Sequence, residues 1–409
     1  MTDLNARPRT TPPFPLPAFP AIVPAMSDQP EPDRIEGAPH PRAAARLFGH
    51  DAAERVLLDA FNSGRMHHGW LISGPRGVGK ATLAWRFARF LIATPDPDDG
   101  GLFGAPEPPA TLDIPEDHPV ARRVAAGSEP LLQVIRRGGA GSTDNDRERN
   151  FAAGKFSKVI RVEDARPLKK FFALSSADGG RRVVIIDAAD EMNPNAANAI
   201  LKLLEEPPAR TVLLLVSHQP SSLLPTIRSR CRELRLGAVP PEEIAAALAQ
   251  AEIDMPGHAA ALAELSGGSV GEAVRLVTLD GLKLYADLIG LIGTLPRLDA
   301  TRAQALADTA AARGGEERRA LLIHLVDLAL SRLARTGATG HAPAVEAAPG
   351  EAEVMARLAP SAASGRVWAQ AAEEIGQRLR HGEAVNLDPA ALILDTVFKL
   401  QSIAGGVAT

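Results

Sequence analysis

GWLISGPRGVGKATLAWRFARFLIA, residues Gly69–Ala93, is the stretch on which the fold turns. GWLIS reads as a short apolar strand. Gly74-Pro75-Arg76-Gly77-Val78-Gly79-Lys80 follows directly, and a helical run begins at once after it. A glycine-rich loop between strand and helix is the context that a phosphate-binding P-loop requires. The glycines let backbone N–H groups turn inward around a phosphate chain. Lys80 adds a point charge for the β- and γ-phosphates, and the helix N-terminus adds partial positive charge. Gly74, Gly77, Val78, Gly79, Lys80, Ala81 and Thr82 are therefore the predicted phosphate-binding residues. A chance glycine-rich turn is the competing reading; spacing and context together disfavour it.

Working outward, RRVVIID (Arg181–Asp187) and TVLLLVS (Thr211–Ser217) read as buried strands, and CRELRL as a shorter one. NPNAANAILKLLEE between the first two reads as a helix. Asn193 can cap it, Pro194 suits its first turn, Ala197, Ile200, Leu201 and Leu204 share one face, and Pro207–Pro208 stop it. Strands alternating with helices predict an α/β domain with a parallel sheet. Upstream, AAARLFGHDAAERVLLDAFNSGR reads as helical from near Ala43, with Val56, Leu57, Ala60 and Phe61 on one face. Thr94–Pro119 and Gly138–Lys155 show no clear period and read as irregular. After Pro240, Ala, Leu, Glu and Arg dominate at helical spacing, which predicts helices to the C-terminus with a linker or surface loop over Thr336–Glu353.

Two groups that hydrolysis needs are missing. A hydrolysing P-loop places Ser or Thr straight after the lysine to ligate Mg²⁺. Ala81 stands there, and Thr82 comes one residue later, about 100° around the helix. VVIIDAADEM puts Asp187 at a strand end, where a carboxylate organises Mg²⁺ and its water. The next position, suited to a water-polarising Glu, holds Ala188. Asp190 and Glu191 lie three and four residues past the strand and read as the polar start of the next segment. The pattern implies a site for ATP or ADP with little or no hydrolysis.

GPRGVGK, the DAAD box, NAANAILKLLEEPP and IRSRC together resemble the bacterial clamp-loader subunits of the AAA+ class that serve DNA polymerase III. The resemblance runs from about Ala43 to the C-terminus and is strongest over Gly69–Lys80 and Val183–Leu236. It implies an α/β P-loop AAA+ domain with a parallel sheet over 43–239, an all-α lid over 240–280 and an all-α collar for oligomerisation over 281–409, after a proline-rich leader over 1–42. It implies work in a five-subunit ring with gamma/tau and delta subunits as partners. That ring opens the sliding clamp and places it on primed DNA, using ATP in neighbouring subunits. Any polymerase activity would belong to the holoenzyme. Ser229-Arg230-Cys231 matches the family's SRC motif, whose arginine acts in trans on the adjacent subunit's ATP. A fixed planar cation suits charge on a transferring phosphoryl group. On charge pattern alone, Arg228, Arg230, Arg232 and Arg235 read as a solvated edge. Ser217 falls at the sensor-1 position, where a hydroxyl would bond a γ-phosphate or the attacking water. The family's sensor-2 arginine belongs to a G-S-x-R pattern; this chain has Gly268-Ser269-Val270-Gly271, so Gly271 removes the charge. Many members carry a four-cysteine zinc module after the P-loop helix. Thr94–Pro119 holds no cysteine, so no zinc or other protein-held metal is expected. Two alternatives stay open: an active clamp-loader motor using Thr82 and Asp190, and a small-molecule P-loop kinase or transferase, which SRC and the helical half disfavour.

The remaining composition bounds the setting. The 409 residues carry 45 Lys and Arg against 49 Asp and Glu, a net charge of −4, which argues against a strongly basic nucleic-acid coat. The single Cys231 excludes an internal disulfide, a reducing cytoplasm is the natural compartment, and the thiol is expected to pack inside. No membrane is expected: no unbroken apolar run reaches about 18 residues, and prolines interrupt FPLPAFPAIVPAM where a signal peptide would need continuity. Ten of the 34 prolines fall in the first 40 residues, which predicts an extended leader, and Met26 is a candidate alternative start. Glu205 and Glu206 sit against the helix dipole, so either one of them meets a basic residue on a neighbouring subunit or domain, or they are an exposed helix end before Pro207 where charge costs little. Arg136, Arg137, Lys155, Lys158, Lys169 and Lys170 are either DNA phosphate contacts or a solvated surface.

Overall fold

The structure is a computed structural model that describes residues 31–35, 37–44, 46–96, 107–173, 180–253 and 258–407; Met26 and most of the expected leader lie outside the described residues. Five strands, β1 (Gly69–Ser73), β2 (Leu132–Ile135), β3 (Arg182–Asp187), β4 (Thr211–Ser217) and β5 (Arg232–Arg235), form one sheet in the order β2-β3-β4-β1-β5. Every pairing is parallel, and Leu214 lies between Trp70 of β1 and Ile185 of β3. Parallel strands joined by crossover helices are covered on both faces, so they read as unbroken apolar runs. β1 and β4 are buried along their whole length. Alternation divides the core. Trp70, Ile185 and Leu214 face the layer that contains Phe61, Phe87 and Phe90, while Leu71, Val184 and Leu215 face Ile200, Leu204 and Ile227.

The helix expected between β3 and β4 spans Pro194–Glu205, and the Asn193 side chain accepts the Ala196 N–H at 2.8 Å. Three local expectations shift. The first helix spans Asp51–Asn62 rather than starting near Ala43, because Gly49 holds φ +72°, and a Cβ there would lie 3.0 Å from Val239. Gly138–Lys155 contains a helix, Asp144–Ala152, whose N-cap Thr143 accepts the Asp146 N–H at 3.2 Å. Its residues DNDRERNFA bury little, which left no apolar period to detect. The expected linker shrinks to 340–350, since one helix runs Glu316–Thr339 and the next begins at Glu351.

Beyond β5 the chain is helical throughout the described residues. The helices Pro241–Gln250, Ala259–Ser266 and Val270–Thr278 come first, and others follow from Gly281 to Val407. Glu316–Thr339 packs against Ala362–Ala384, where a Cβ on Gly337 would stand 2.5 Å from the Gly365 Cα, so glycine permits the crossing. Arg332 is buried there and bonds Glu351 at 2.7 Å and Glu264 at 2.6 Å, and Tyr285 Oη donates to Glu351 at 2.5 Å. The helix Pro389–Val407 is long and apolar enough by length and composition to cross a membrane, which the run-counting of the sequence did not register. It turns Leu392, Ile393, Val397 and Leu400 into the bundle, and its Asp395 pairs with Arg378 at 2.8 Å.

Candidate nucleotide-binding site

The carboxyl ends of β1, β3 and β4 meet where a parallel sheet offers its ligand crevice. After β1 the backbone passes through positive φ at Gly74 (+145°), Gly77 (+76°) and Gly79 (+102°), conformations that side chains resist. A Cβ on Gly77 would also lie 2.3 Å from the Ser269 Oγ. Lys80 begins the helix Lys80–Ala93 and is 3% exposed. Its Nζ donates to the carbonyls of Gly74 at 2.9 Å and Pro75 at 2.5 Å. Burial lowers its pKa to about 8, against the opposing pull of Asp187 and Asp190. His50 supports the loop from outside: its Nε2 lies 2.8 Å from the Val78 carbonyl, and burial lowers its pKa. Nothing in the P-loop motif pointed to His50.

A cavity of about 350 Å³ opens over this loop. Gly77, Val78, Gly79, Lys80, Ala81 and Thr82 line it together with Asp187. Its far wall includes Val270, Gly271 and Val274 from the helix Val270–Thr278. The Gly271 N–H donates to the Gly77 carbonyl at 2.9 Å, so the position that lacks an arginine instead brings the lid backbone onto the P-loop. Ser217 is not brought to the cavity. It is fully buried with Oγ unpartnered, while its neighbours Val216 and His218 line the wall. Alternation along the strand turns successive side chains to opposite faces.

Asp187 ends β3, and its pKa is pushed up to about 7 by burial first, then by the carboxylates of Asp33 and Glu191. Asp190 and Glu191 are more than a polar lead-in, because the short turn Ala189–Glu191 folds them back. Asp190 Oδ1 accepts the His218 N–H at 2.9 Å, and Glu191 bridges Arg76 at 3.1 Å and Arg137 at 3.0 Å. Burial, with Lys80 and Arg76 nearby, lowers the His218 pKa to about 4, so its ring is neutral at pH 7. Arg136 and Arg137 leave the group of free basic residues: Arg136 pairs with Glu31 at 3.0 Å and Asp33 at 2.7 Å.

Arg230 lies elsewhere, just past the short helix Pro225–Arg228. Its Nη1 donates to the Thr226 carbonyl at 2.9 Å, its Nη2 pairs with Glu205 at 3.1 Å, and its side chain stays 38% exposed. Glu205 thus finds its basic partner within the same domain. Cys231 packs against the apolar layer beneath β1, and burial raises its thiol to about 12, which keeps it protonated and unreactive.

A parallel sheet with a phosphate loop after its β1 strand, a carboxylate ending β3 and a helix across the mouth defines a P-loop α/β domain. Residues 49–240 match the family model described as DNA polymerase III, delta subunit. The matched stretch is similar to subunits of the DNA polymerase III clamp loader, delta′ subunits among them. It is 38% identical over 213 residues to the delta′ subunit of Pseudomonas aeruginosa, covering 51% of this chain and 55% of that one. It is 31% identical over 221 residues to the Escherichia coli delta′ subunit, covering 54% and 57%. A gamma/tau subunit of Mycobacterium tuberculosis is 28% identical over 217 residues, 51% of this chain and 31% of that one. The chain spans about half the length of the delta′ relatives it matches.

Proposed function

We propose that the protein is a largely non-hydrolysing stator of the clamp loader. It holds ATP or ADP in its own cavity and lends Arg230 to the ATP of an adjoining gamma/tau-type subunit. With a delta subunit, that assembly would open the sliding clamp and seat it on primed DNA in the cytoplasm. The observation that carries this reading is the separation of the two halves of the chemistry. Arg230 is anchored by the Thr226 carbonyl and Glu205, half-exposed, and outside the cavity lined by Lys80 and Asp187. A guanidinium so placed can stabilise phosphoryl charge only in a site that another chain completes.

The cavity suits a nucleotide. Glycines at positive φ aim backbone N–H groups inward, Lys80 supplies charge, and the apolar Val270 and Val274 offer a surface for a base. Mg²⁺ arriving with the nucleotide would meet Asp187, which the neighbouring Glu191 carboxylate makes receptive to a cation. Ala81 offers it no ligand, and Thr82 is the nearest hydroxyl in sequence. Ala188 polarises no water. The motor alternative would recruit Asp190, whose carboxylate is already engaged by the His218 N–H.

In a complex assembled with its clamp-loader partners, Arg230→Ala should lower ATP hydrolysis. One such finger is worth about 10³–10⁵ at the site it serves, and the total falls less because several sites contribute. Unfolding of the isolated chain should shift little, since an exposed ion pair is worth about 0–1 kcal/mol. Undiminished hydrolysis in the assembled variant would overturn the proposal, as would turnover by the isolated chain that Lys80→Ala abolishes.

A further inference from the structure

The residues just upstream of the expected domain start are ordered, and they lie over the cavity. Glu31 and Asp33 have buried side chains, 8% and 3% exposed, and Asp33 lines the cavity. Buried carboxylates need paired cations, and these have them. Arg136 Nη1 meets Asp33 at 2.7 Å and its Nη2 meets Glu31 at 3.0 Å. Arg42 holds Glu31 at 2.6 Å, the His40 Nε2 lies 3.2 Å from Asp33, and the Pro32 carbonyl accepts from Arg137 at 3.1 Å.

The segment also reaches the lid. A Cβ on Gly271 would stand 2.5 Å from the Ile35 Cδ1, and one on Gly37 2.5 Å from the Thr278 Oγ1, so both lid contacts are close. Arg136 and Arg137 directly follow β2, the edge strand beside β3, at the same end of the sheet as Asp187. Arg137 lines the cavity at the end where the phosphates of a nucleotide would lie, and Arg136 precedes it in the chain. Their charge is instead taken up by Asp33, Glu31 and Glu191. Asp33 is close enough to Asp187 to help raise its pKa, which places a carboxylate of the segment at the polyphosphate end.

We propose that residues 31–35 and 37–43 form a self-docked strap, held in place by Arg136, that keeps the Asp33 carboxylate at the polyphosphate end of the cavity, so that a nucleoside triphosphate must displace the strap to bind. This rests on the nucleotide reading of the cavity. A nucleotide that binds only the strap-released form has its apparent affinity reduced by the fraction released. Tethering keeps the competitor at high effective concentration, and no partner protein is needed to supply it.

The test uses the full chain and a fluorescent ATP analogue, with hydrogen exchange read separately over 31–44 and 74–82. In the wild type, ATP should protect 74–82 and deprotect 31–44. The double variant Glu31→Gln/Asp33→Asn should bind the analogue at least about tenfold more tightly, because the strap loses both of its anions. Arg42→Gln, which removes only the strap's internal tie to Glu31, should tighten binding in the same direction by a smaller factor. It serves as the second variant should the double one fold poorly. Equal or weaker binding by the variants, or ATP protecting both segments together, would make the strap a wall of the site and overturn the competition while leaving the nucleotide reading intact. No binding by wild type and variants alike would overturn both.

Discussion

Asp187→Asn probes the tension built into the cavity. Burial, Asp33 and Glu191 hold the Asp187 carboxyl at about 7 against an ordinary value of 3.8. The difference is about three pH units, and each unit is worth about 1.4 kcal/mol, so ionised Asp187 costs the fold up to about 4 kcal/mol. Its carboxyl borders the cavity, where water screens part of that, so about 2–4 kcal/mol is the working range. The unfolded chain releases this proton near 3.8 and the folded chain keeps it to about 7. Between those values the folded state binds more protons, so stability falls as pH rises through the window and levels off above it. Asparagine abolishes the penalty. The variant should match the wild type near pH 4, gain at most about 1.4 kcal/mol per unit above that, and plateau about 2–4 kcal/mol more stable at pH 8. Urea unfolding followed by circular dichroism at pH 5, 6, 7 and 8 measures it. A pH-independent difference, or an Asn variant less stable at pH 8, would refute the reasoning.

Two substitutions test the lid and the helical bundle. Gly271→Ala puts a methyl 2.5 Å from the Ile35 Cδ1 and 3.0 Å from the Gly77 Cα. Denaturant titration should show a loss of about 1–3 kcal/mol as the lid lifts from the P-loop, and an unchanged midpoint would mean the contact is slack. Arg332→Met leaves Glu351, which is 0% exposed, without its cation. The loss should be about 3–5 kcal/mol, with Glu351→Gln on that background recovering part of it, and a cost under about 1 kcal/mol would remove the buried pair as an anchor between bundle helices.

The P-loop, β1, β3, β4 and the helix Pro194–Glu205 were legible because their signals are local. Glycine spacing, unbroken apolar runs and an Asn-Pro cap act within a few residues. The helix Asp144–Ala152 was not legible, since a charged surface helix with little buried face carries no period. Ser217 illustrates a finer limit. Its register next to the cavity was readable, but the strand's alternation turns its hydroxyl into the core and His218 toward the opening.

By itself the sequence determined that this chain builds a parallel α/β domain with a phosphate loop, that hydroxyl and carboxylate are missing where hydrolysis wants them, and that an SRC arginine follows. Those are properties of residue type and spacing. Only the tertiary structure decided that Asp33, 47 residues upstream of Lys80, shares a cavity with it, that Arg136 is spent on the strap, and that Glu205 holds Arg230. Charge pairs of this kind join distant segments through packing. A long-range contact leaves no periodic trace in the order of residues, so folding had to bring the partners together before either could be assigned.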